Sequence, residues 1–353
     1  MPEELEIGGR RLRRGERATL RIPVARPYGQ ADVYLPVEVV RGRQDGPRLF
    51  VSAAVHGDEI NGVEIIRRLL ETRLLARLRG TLIAVPIVNV YGFLTRSRYL
   101  PDRRDLNRSF PGSARGSLTA RLAHRFMTEI VAHATHGIDL HTGAVHRANL
   151  PQIRACLDDG ETERIARAFG TPVLLNADLR DGSLRQAVFE RGIPMLVYEA
   201  GEALRFDELS IRAGVRGILS VMRAIGMLPP ERVPRRPVEP FVAQSSTWIR
   251  APESGLFRSR LRLGARVAEG EPLGVISAPL GGTLAEVRSR LDGVIIGRSN
   301  LPLANEGDAL LHVASFARPA RVAARVEEFQ EVLVPELAEL PGDAPPVDPE
   351  PLP

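Results

Sequence analysis

No lysine occurs in this chain of 353 residues; all 48 of its strongly basic side chains are arginine. These arginines are scattered, with no basic run longer than a few residues, and aromatic residues make up only 5% of the chain. A groove for nucleic acid needs clustered cations interleaved with aromatics, so the net charge of +5 does not point to a nucleic-acid partner. One cysteine, Cys156, can form neither an internal disulfide nor a thiolate zinc or iron–sulfur site, which leaves histidine and carboxylate as the metal ligands available. The longest apolar stretches, 82–90 and 195–198, fall far short of the roughly 20 residues that cross a bilayer. Residues 1–14 mix Glu with Arg and lack an apolar signal core, so the expected location is cytoplasmic, with no membrane partner. A content of 44% hydrophobic and 26% charged residues excludes a fibre or a disordered chain.

The pattern along the chain predicts an α/β fold with a mostly parallel sheet flanked by helices. Residues 18–24 and 33–40 alternate like strands and are separated by Arg26-Pro27-Tyr28-Gly29, a hairpin signature. Apolar runs at 48–54, 82–90 and 193–199 read as strands, as does the short segment 137–141, while 61–78, 118–135 and 159–169 carry helical spacing. Five domains or segments are expected: an N-terminal hairpin region over 1–45, a main α/β domain over 46–228, a Pro-rich linker over 229–240, an all-β barrel or sandwich over 241–315 and an acidic Pro-rich tail over 316–353. Nine glycines recur between short β-like segments from 255 to 307. Within this region 262–276 and 286–297 resemble the hammerhead halves of the biotinyl/lipoyl-like family. That family's carrier role requires a lysine, which this chain does not have. A helix is expected from 320 to 340, within a terminal stretch where eight acids face two arginines.

Two of the seven histidines stand where a sheet would present them. His56 follows the apolar run 48–55, and Glu59 comes three residues later as the next helix begins. Ligands of open α/β sheets bind at the carboxyl ends of strands, so this turn can aim an imidazole and a carboxylate at one point. His141 ends the strand 137–141, on the same side as Asp139. Two histidines and one glutamate leave a fourth position for water, the ligand pattern of catalytic rather than structural zinc, one ion per chain. The alternative for His141 is a hydrogen-bonded core histidine. Glu199, at the end of strand 194–198, emerges at the same edge and can act as general base and acid. Its alternative is an ion pair with one of the many arginines.

His56-Gly57-Asp58-Glu59, Asp105-Leu106-Asn107-Arg108, Asp139-Leu140-His141 and Glu199-Ala200-Gly201, in that order, resemble the succinylglutamate desuccinylase/aspartoacylase family, relatives of the zinc carboxypeptidases. The resemblance covers roughly residues 30–315. It implies a zinc carboxypeptidase-like sheet, zinc on His56, Glu59 and His141, and Glu199 as general base and acid. It further implies Asn107 and Arg108 on the substrate carboxylate and Asp105 orienting His56. A guanidinium fork beside an amide suits a carboxylate, in agreement with that role; the alternative for 105–108 is a helix-cap turn. An arginine shortly upstream polarises the scissile carbonyl in the family. Arg98, Arg103 and Arg104 compete for that place, and Arg98 is favoured because Arg98-Tyr99 resembles the family's pair.

The expected reaction is therefore hydrolysis of an N-acyl amino acid to a carboxylic acid and a free amino acid, with the acyl group and amino acid left open. The rival readings are carboxypeptidase-like trimming of a peptide or glutamyl chain, and a non-enzymatic zinc-binding scaffold. The expected partner is a small carboxylate-bearing molecule, and a homo-oligomer is the remaining association to test.

Overall fold

The alternation in the first 41 residues does form strands. In the computed structural model, which describes residues 5–25, 32–230 and 239–333, a ribbon of β1 (Leu5–Ile7) and β2 (Arg10–Leu12) precedes β3 (Arg17–Ala25) and its antiparallel partner β4 (Val33–Arg41). The expected turn at 26–29 lies outside the described residues. Next come β5 (Gln44–Ala53) and α1 (Asn61–Glu71). Helical spacing continues to residue 78, yet Thr72 is extended and Arg73–Arg77 forms only a 3-10 turn. β6 (Arg79–Val85) likewise stops short of the expected 82–90. Pro86 follows it directly, and Asn89 then caps α2 (Val90–Thr95) by accepting from the Gly92 amide.

Ser117 caps α3 (Leu118–Glu129), which leads through a 3-10 turn to β7 (His136–Gly143). β8 (Arg147–Ala155) is followed by α4 (Gly160–Phe169), with Asp159 as its cap, and then β9 (Val173–Asn176). α5 (Leu184–Phe189), β10 (Met195–Glu202) and α6 (Glu208–Ala224) complete this part. β6, β5, β7 and β10 run parallel, but β4 and β8 join them antiparallel on the two sides. The sheet is thus mixed rather than mostly parallel. The connection between β7 and β8 is three residues long, too short for the helical crossover that a parallel strand requires.

Helices cover both faces. Leu49, Val51 and Ala53 of β5 pack with Ile65 and Leu69 of α1, Phe169 of α4 and Ile218 of α6. Phe50, one residue out of phase, packs on the other face with Phe126 of α3 and Leu184 of α5. This two-sided burial explains why the central strands read as continuous apolar runs.

After residue 240 the chain is strand-rich: β11 (Phe241–Ala243), β12 (Ser245–Arg250), β13 (Gly255–Arg258), β14 (Arg266–Val267), β15 (Pro272–Ser277), β16 (Thr283–Arg288), β17 (Gly293–Ser299), β18 (Leu303–Ala304) and β19 (Ala309–Ser315). β16, β15, β13 and β18 form a separate four-stranded sheet. β17 pairs antiparallel with β8, and β11 pairs with β9, so the large sheet runs on into this region. The helix expected from 320 is α7 (Pro319–Leu333); its expected end at 340, the tail beyond it and linker residues 231–238 lie outside the described residues.

The turn that leaves β5 for α1 presses on α2. A Cβ at Gly57 would lie 2.0 Å from the carbonyl carbon of Gly92 and 2.1 Å from the amide nitrogen of Phe93. Backbone cannot yield as a side chain can. Gly57→Ala is therefore expected to destabilise the fold by about 1–3 kcal/mol or more, as overpacking does. Denaturant unfolding measures it, and an unchanged midpoint would show that the turn has room to spare.

Candidate active site

The parallel strands β5, β7 and β10 end at one edge, and each delivers a polar side chain there. Past β5 the chain turns sharply through Ala54, whose φ of 50° lies in the left-handed region that non-glycine residues rarely occupy. His56 and Glu59 follow. His141 lies in register with Glu199 across the β7–β10 ladder, and Asp139 with Ser52 across β5–β7.

Glu59 is the hinge of the cluster. Its Oε1 is 2.7 Å from His56 Nδ1 and its Oε2 is 2.7 Å from His141 Nδ1, with all three residues buried. The far nitrogen of each ring meets a second carboxylate. His56 Nε2 is 3.2 Å from Asp105 Oδ1, and His141 Nε2 is 2.6 Å from Asp139 Oδ2, whose other oxygen accepts from Ser52 Oγ. Burial opposes charge on both rings, but Glu59 and Asp105 around His56, and Asp139 and Glu59 around His141, raise both imidazoles above the ordinary histidine value. Burial also disfavours the Glu59 carboxylate, yet the two imidazoles hold it well below the usual carboxylate range.

One ligand atom from each of His56, Glu59 and His141 lies within 4.8 Å of the others. Two imidazoles and a carboxylate form a donor set suited to a divalent ion, and an outer carboxylate on each histidine fixes the ring and its tautomer. Each ring turns one nitrogen towards Glu59 and the other towards an outer carboxylate, the placement in which the first can ligate and the second donate, so the residues fit such an ion.

The other expected residues gather around this cluster. Arg98 grips Asp105 Oδ2 through Nε and a terminal nitrogen, at 3.2 and 2.9 Å, and reaches Glu59 Oε1 at 3.4 Å. Of the three competing arginines it alone lines the cavity beside the cluster, whereas Arg103 and Arg104 are exposed away from it. Asp105 also caps a 3-10 turn, Leu106–Arg108, by accepting from the Asn107 amide. The helix-cap alternative is thus present alongside the contact with His56, since one carboxylate serves both. Asn107 and Arg108 line the cavity, and Asn107 Oδ1 accepts from the Leu184 amide at the start of α5. Glu199 accepts a hydrogen bond of 2.9 Å from Asn149 Nδ2, while Arg154 Nε stands 3.8 Å from its other oxygen, an ion pair without a hydrogen bond, so the arginine-partner alternative is present alongside.

The cavity has a volume of about 540 Å³, in the range of small-ligand sites. Beyond Arg98 and Arg108, sequence reasoning missed five arginines in its wall: Arg147, Arg154, Arg180, Arg185 and Arg250. Three lining acids oppose these seven cations, and two of the three, Glu59 and Asp139, are engaged with histidines. Burial, then the neighbouring Arg154, depresses the pKa of Arg185. Trp248 and His312 from the C-terminal strands stack at 4.7 Å in the same wall, with Arg147 over the tryptophan. Burial, reinforced by Arg154, pushes the pKa of His312 down to about 3, so its ring is neutral near pH 7. Asp139 is the one extra partner with a visible signal, since it sits two residues from His141 on the same strand face.

Among the described residues no helix is long and apolar enough to cross a membrane. Residues 45–225 match the succinylglutamate desuccinylase/aspartoacylase catalytic domain. An N-alpha-acetyl-L-2,4-diaminobutyric acid deacetylase of Halomonas elongata is 30% identical over 80% of this chain and 86% of its own length. The crystal structure of a succinylglutamate desuccinylase/aspartoacylase from Rhodobacter sphaeroides is similar with a TM-score of 0.76 and 27% identity, covering 86% of this chain and 97% of that one. The product-bound ectoine utilization protein EutE (DoeB) from Ruegeria pomeroyi gives a TM-score of 0.77 at 27% identity, over 86% and 96% of the two chains. With the catalytic-domain match spanning half of its length and a relative at 30% identity over most of it, the chain belongs to the succinylglutamate desuccinylase/aspartoacylase family.

Proposed function

We propose that this protein is a zinc-dependent deacylase that hydrolyses the amide bond of a small N-acyl amino acid, releasing a carboxylic acid and a free amino acid. The observation that carries the reading is the placement of Glu199, in register with His141, across the same cavity as the His56–Glu59–His141 cluster. The deacetylase activity of the Halomonas relative supports amide hydrolysis.

His56, Glu59 and His141 would hold the zinc. Bound there, zinc supplies Lewis acidity that polarises an amide carbonyl and acidifies water. The remaining work falls to side chains of this chain. Glu199 takes a proton from the attacking water and delivers it to the departing amine, a role suited to a carboxylate in the cavity wall. Arg98 orients Asp105, and its third nitrogen lies close enough to the cluster to face the scissile carbonyl. Arg108, flanked by Asn107, offers a fork for the α-carboxylate. The excess of lining arginines favours an acidic substrate over one with a cationic side chain, in contrast to the diaminobutyric acid derivative named for the Halomonas relative. The strands from residue 241 onward act as a cover for the cavity, to which they contribute Trp248, Arg250 and His312.

Two substitutions separate metal binding from proton transfer. His141→Ala is expected to lose a zinc content of about one per chain. Glu199→Gln is expected to keep the zinc and lose at least about 10²-fold in turnover. Elemental analysis and steady-state kinetics on N-acetyl, N-succinyl and N-formyl amino acids read both; full zinc in the first or normal turnover in the second would break the assignment.

Arg108 generates a further expectation. Lysine cannot reproduce the guanidinium fork, so Arg108→Lys should lower kcat/KM by roughly 10- to 100-fold, about 1.4–2.7 kcal/mol of transition-state stabilisation, with zinc retained. Amidating the substrate's α-carboxylate should harm the wild type strongly and the mutant much less. Equal cleavage of acid and amide by the wild type would remove Arg108 from the binding site.

A further inference from the structure

Three β-ladders slip register at one level of the sheet, and Glu199 stands at that level. From Glu199 to Gly201 on β10, the partner strand β8 runs from Gln152 to Asn149, one residue more. Against β7, β10 holds the extra residue, running from Glu199 to Glu202 while β7 runs from His141 to Gly143. Further out, β17 advances from Ile295 to Gly297 while β19 advances only from Val313 to His312. Bulges re-aim side chains and gather beside functional sites. Pro151 falls within the extra length of β8, a position where a missing backbone N–H is tolerated.

The bulge on β8 turns Asn149 towards Glu199. The side-chain amide, buried at 7% exposure, donates to Glu199 Oε2 at 2.9 Å. Arg154 cannot do this work: its Nε is 3.8 Å from the other oxygen and is buried without a hydrogen-bond partner. Behind Asn149 lies Gly297 of β17, its antiparallel partner. A Cβ at Gly297 would approach Asn149 Oδ1 and His312 Cβ to 3.1 Å each. That glycine gives the amide the space in which it sits.

We propose that Asn149 is a positioning residue for Glu199, and that Gly297 of the C-terminal strands holds the Asn149 amide in place. The inference rests on the reading of Glu199 as the proton-transfer group. Holding Oε2 with the amide fixes the rotation of the carboxylate and so the place of Oε1, which has Arg154 as an ion-pair partner at 3.8 Å but no hydrogen bond.

The test compares Asn149→Ala, Asn149→Asp, Gly297→Ala and Glu199→Gln with the wild type. It uses an N-acyl amino acid that the wild type cleaves and measures kcat, KM and zinc content. Asn149→Ala is expected to lower kcat about 10-fold with KM and zinc unchanged. Asn149→Asp, nearly the same shape, should be worse, about 10²-fold, because it replaces the donor with a second carboxylate facing the first. A merely structural side chain would give the reverse order, with Asp better than Ala. Gly297→Ala leaves the amide present but crowds it, and should lower kcat with KM and zinc retained; it decides the matter if the Asn149 variants fail to fold. Wild-type kcat in the folded variants, or a change in KM alone, overturns the positioning role while an inactive Glu199→Gln leaves the base in place. Normal turnover in Glu199→Gln overturns both readings together.

Discussion

Glu59 touches both imidazoles at once, 2.7 Å from each, and this contact joins the ends of two strands that lie far apart in sequence. A buried carboxylate is costly unless every lone pair is used. Here the use is complete: His56 takes one oxygen, His141 and the Thr142 amide take the other, and Arg98 comes within 3.4 Å. The requirement then spreads outward. Each imidazole needs a fixed tautomer, which Asp105 and Asp139 provide; Asp105 in turn needs Arg98 and the Asn107 amide, and Asp139 needs Ser52. A cluster so linked keeps its geometry through mutual satisfaction rather than through the strength of any one bond.

Two elements bring that cluster to the carboxyl edge of the sheet. The parallel run β6–β5–β7–β10 sets three strand ends side by side, and the left-handed Ala54 bends the chain so that His56 faces inward rather than continuing the strand. Opposite them the cavity wall is cationic and largely assembled from β8, the segment before α5 and the C-terminal strands. One side of the cavity therefore suits a cation and the other suits an anion. A molecule with an amide near a carboxylate can span the two.

Much of this arrangement is legible in the amino-acid sequence. His56 and Glu59 lie on one turn, Asp139 and His141 alternate on one strand, and Asp105, Asn107 and Arg108 share one short segment; in each case local spacing already brings the groups together. The central strands are visible because two-sided burial makes them apolar throughout. β8 is not. Its sequence, Arg147-Ala-Asn-Leu-Pro-Gln-Ile-Arg-Ala155, mixes polar and apolar residues with a proline at its centre, and its alternation is broken by the bulge. The pattern overstates the parallel character of the sheet partly for the same reason, since β8, one of the two strands that join it antiparallel, has no strand signature. Asn149 acquires meaning only once the slipped register sets it beside Glu199, and Arg154 only once β8 is paired with β10. Arg180 precedes α5 in an irregular stretch, and Trp248 and His312 reach the cavity from strands far along the chain from Glu199, so no local pattern could announce them.

The pairing of β17 with β8 has a consequence for the order of events during synthesis. β8 is complete once residue 155 is made, but the strand that lies along its outer half ends at residue 299. Until that length has left the ribosome, part of β8 is an open edge, with unpaired backbone groups next to the future site. The sheet around Glu199 therefore closes late, after α1 to α6 have been synthesised. A chain made only that far would carry His56, Glu59 and His141 before it carried His312, the last residue of the cavity wall.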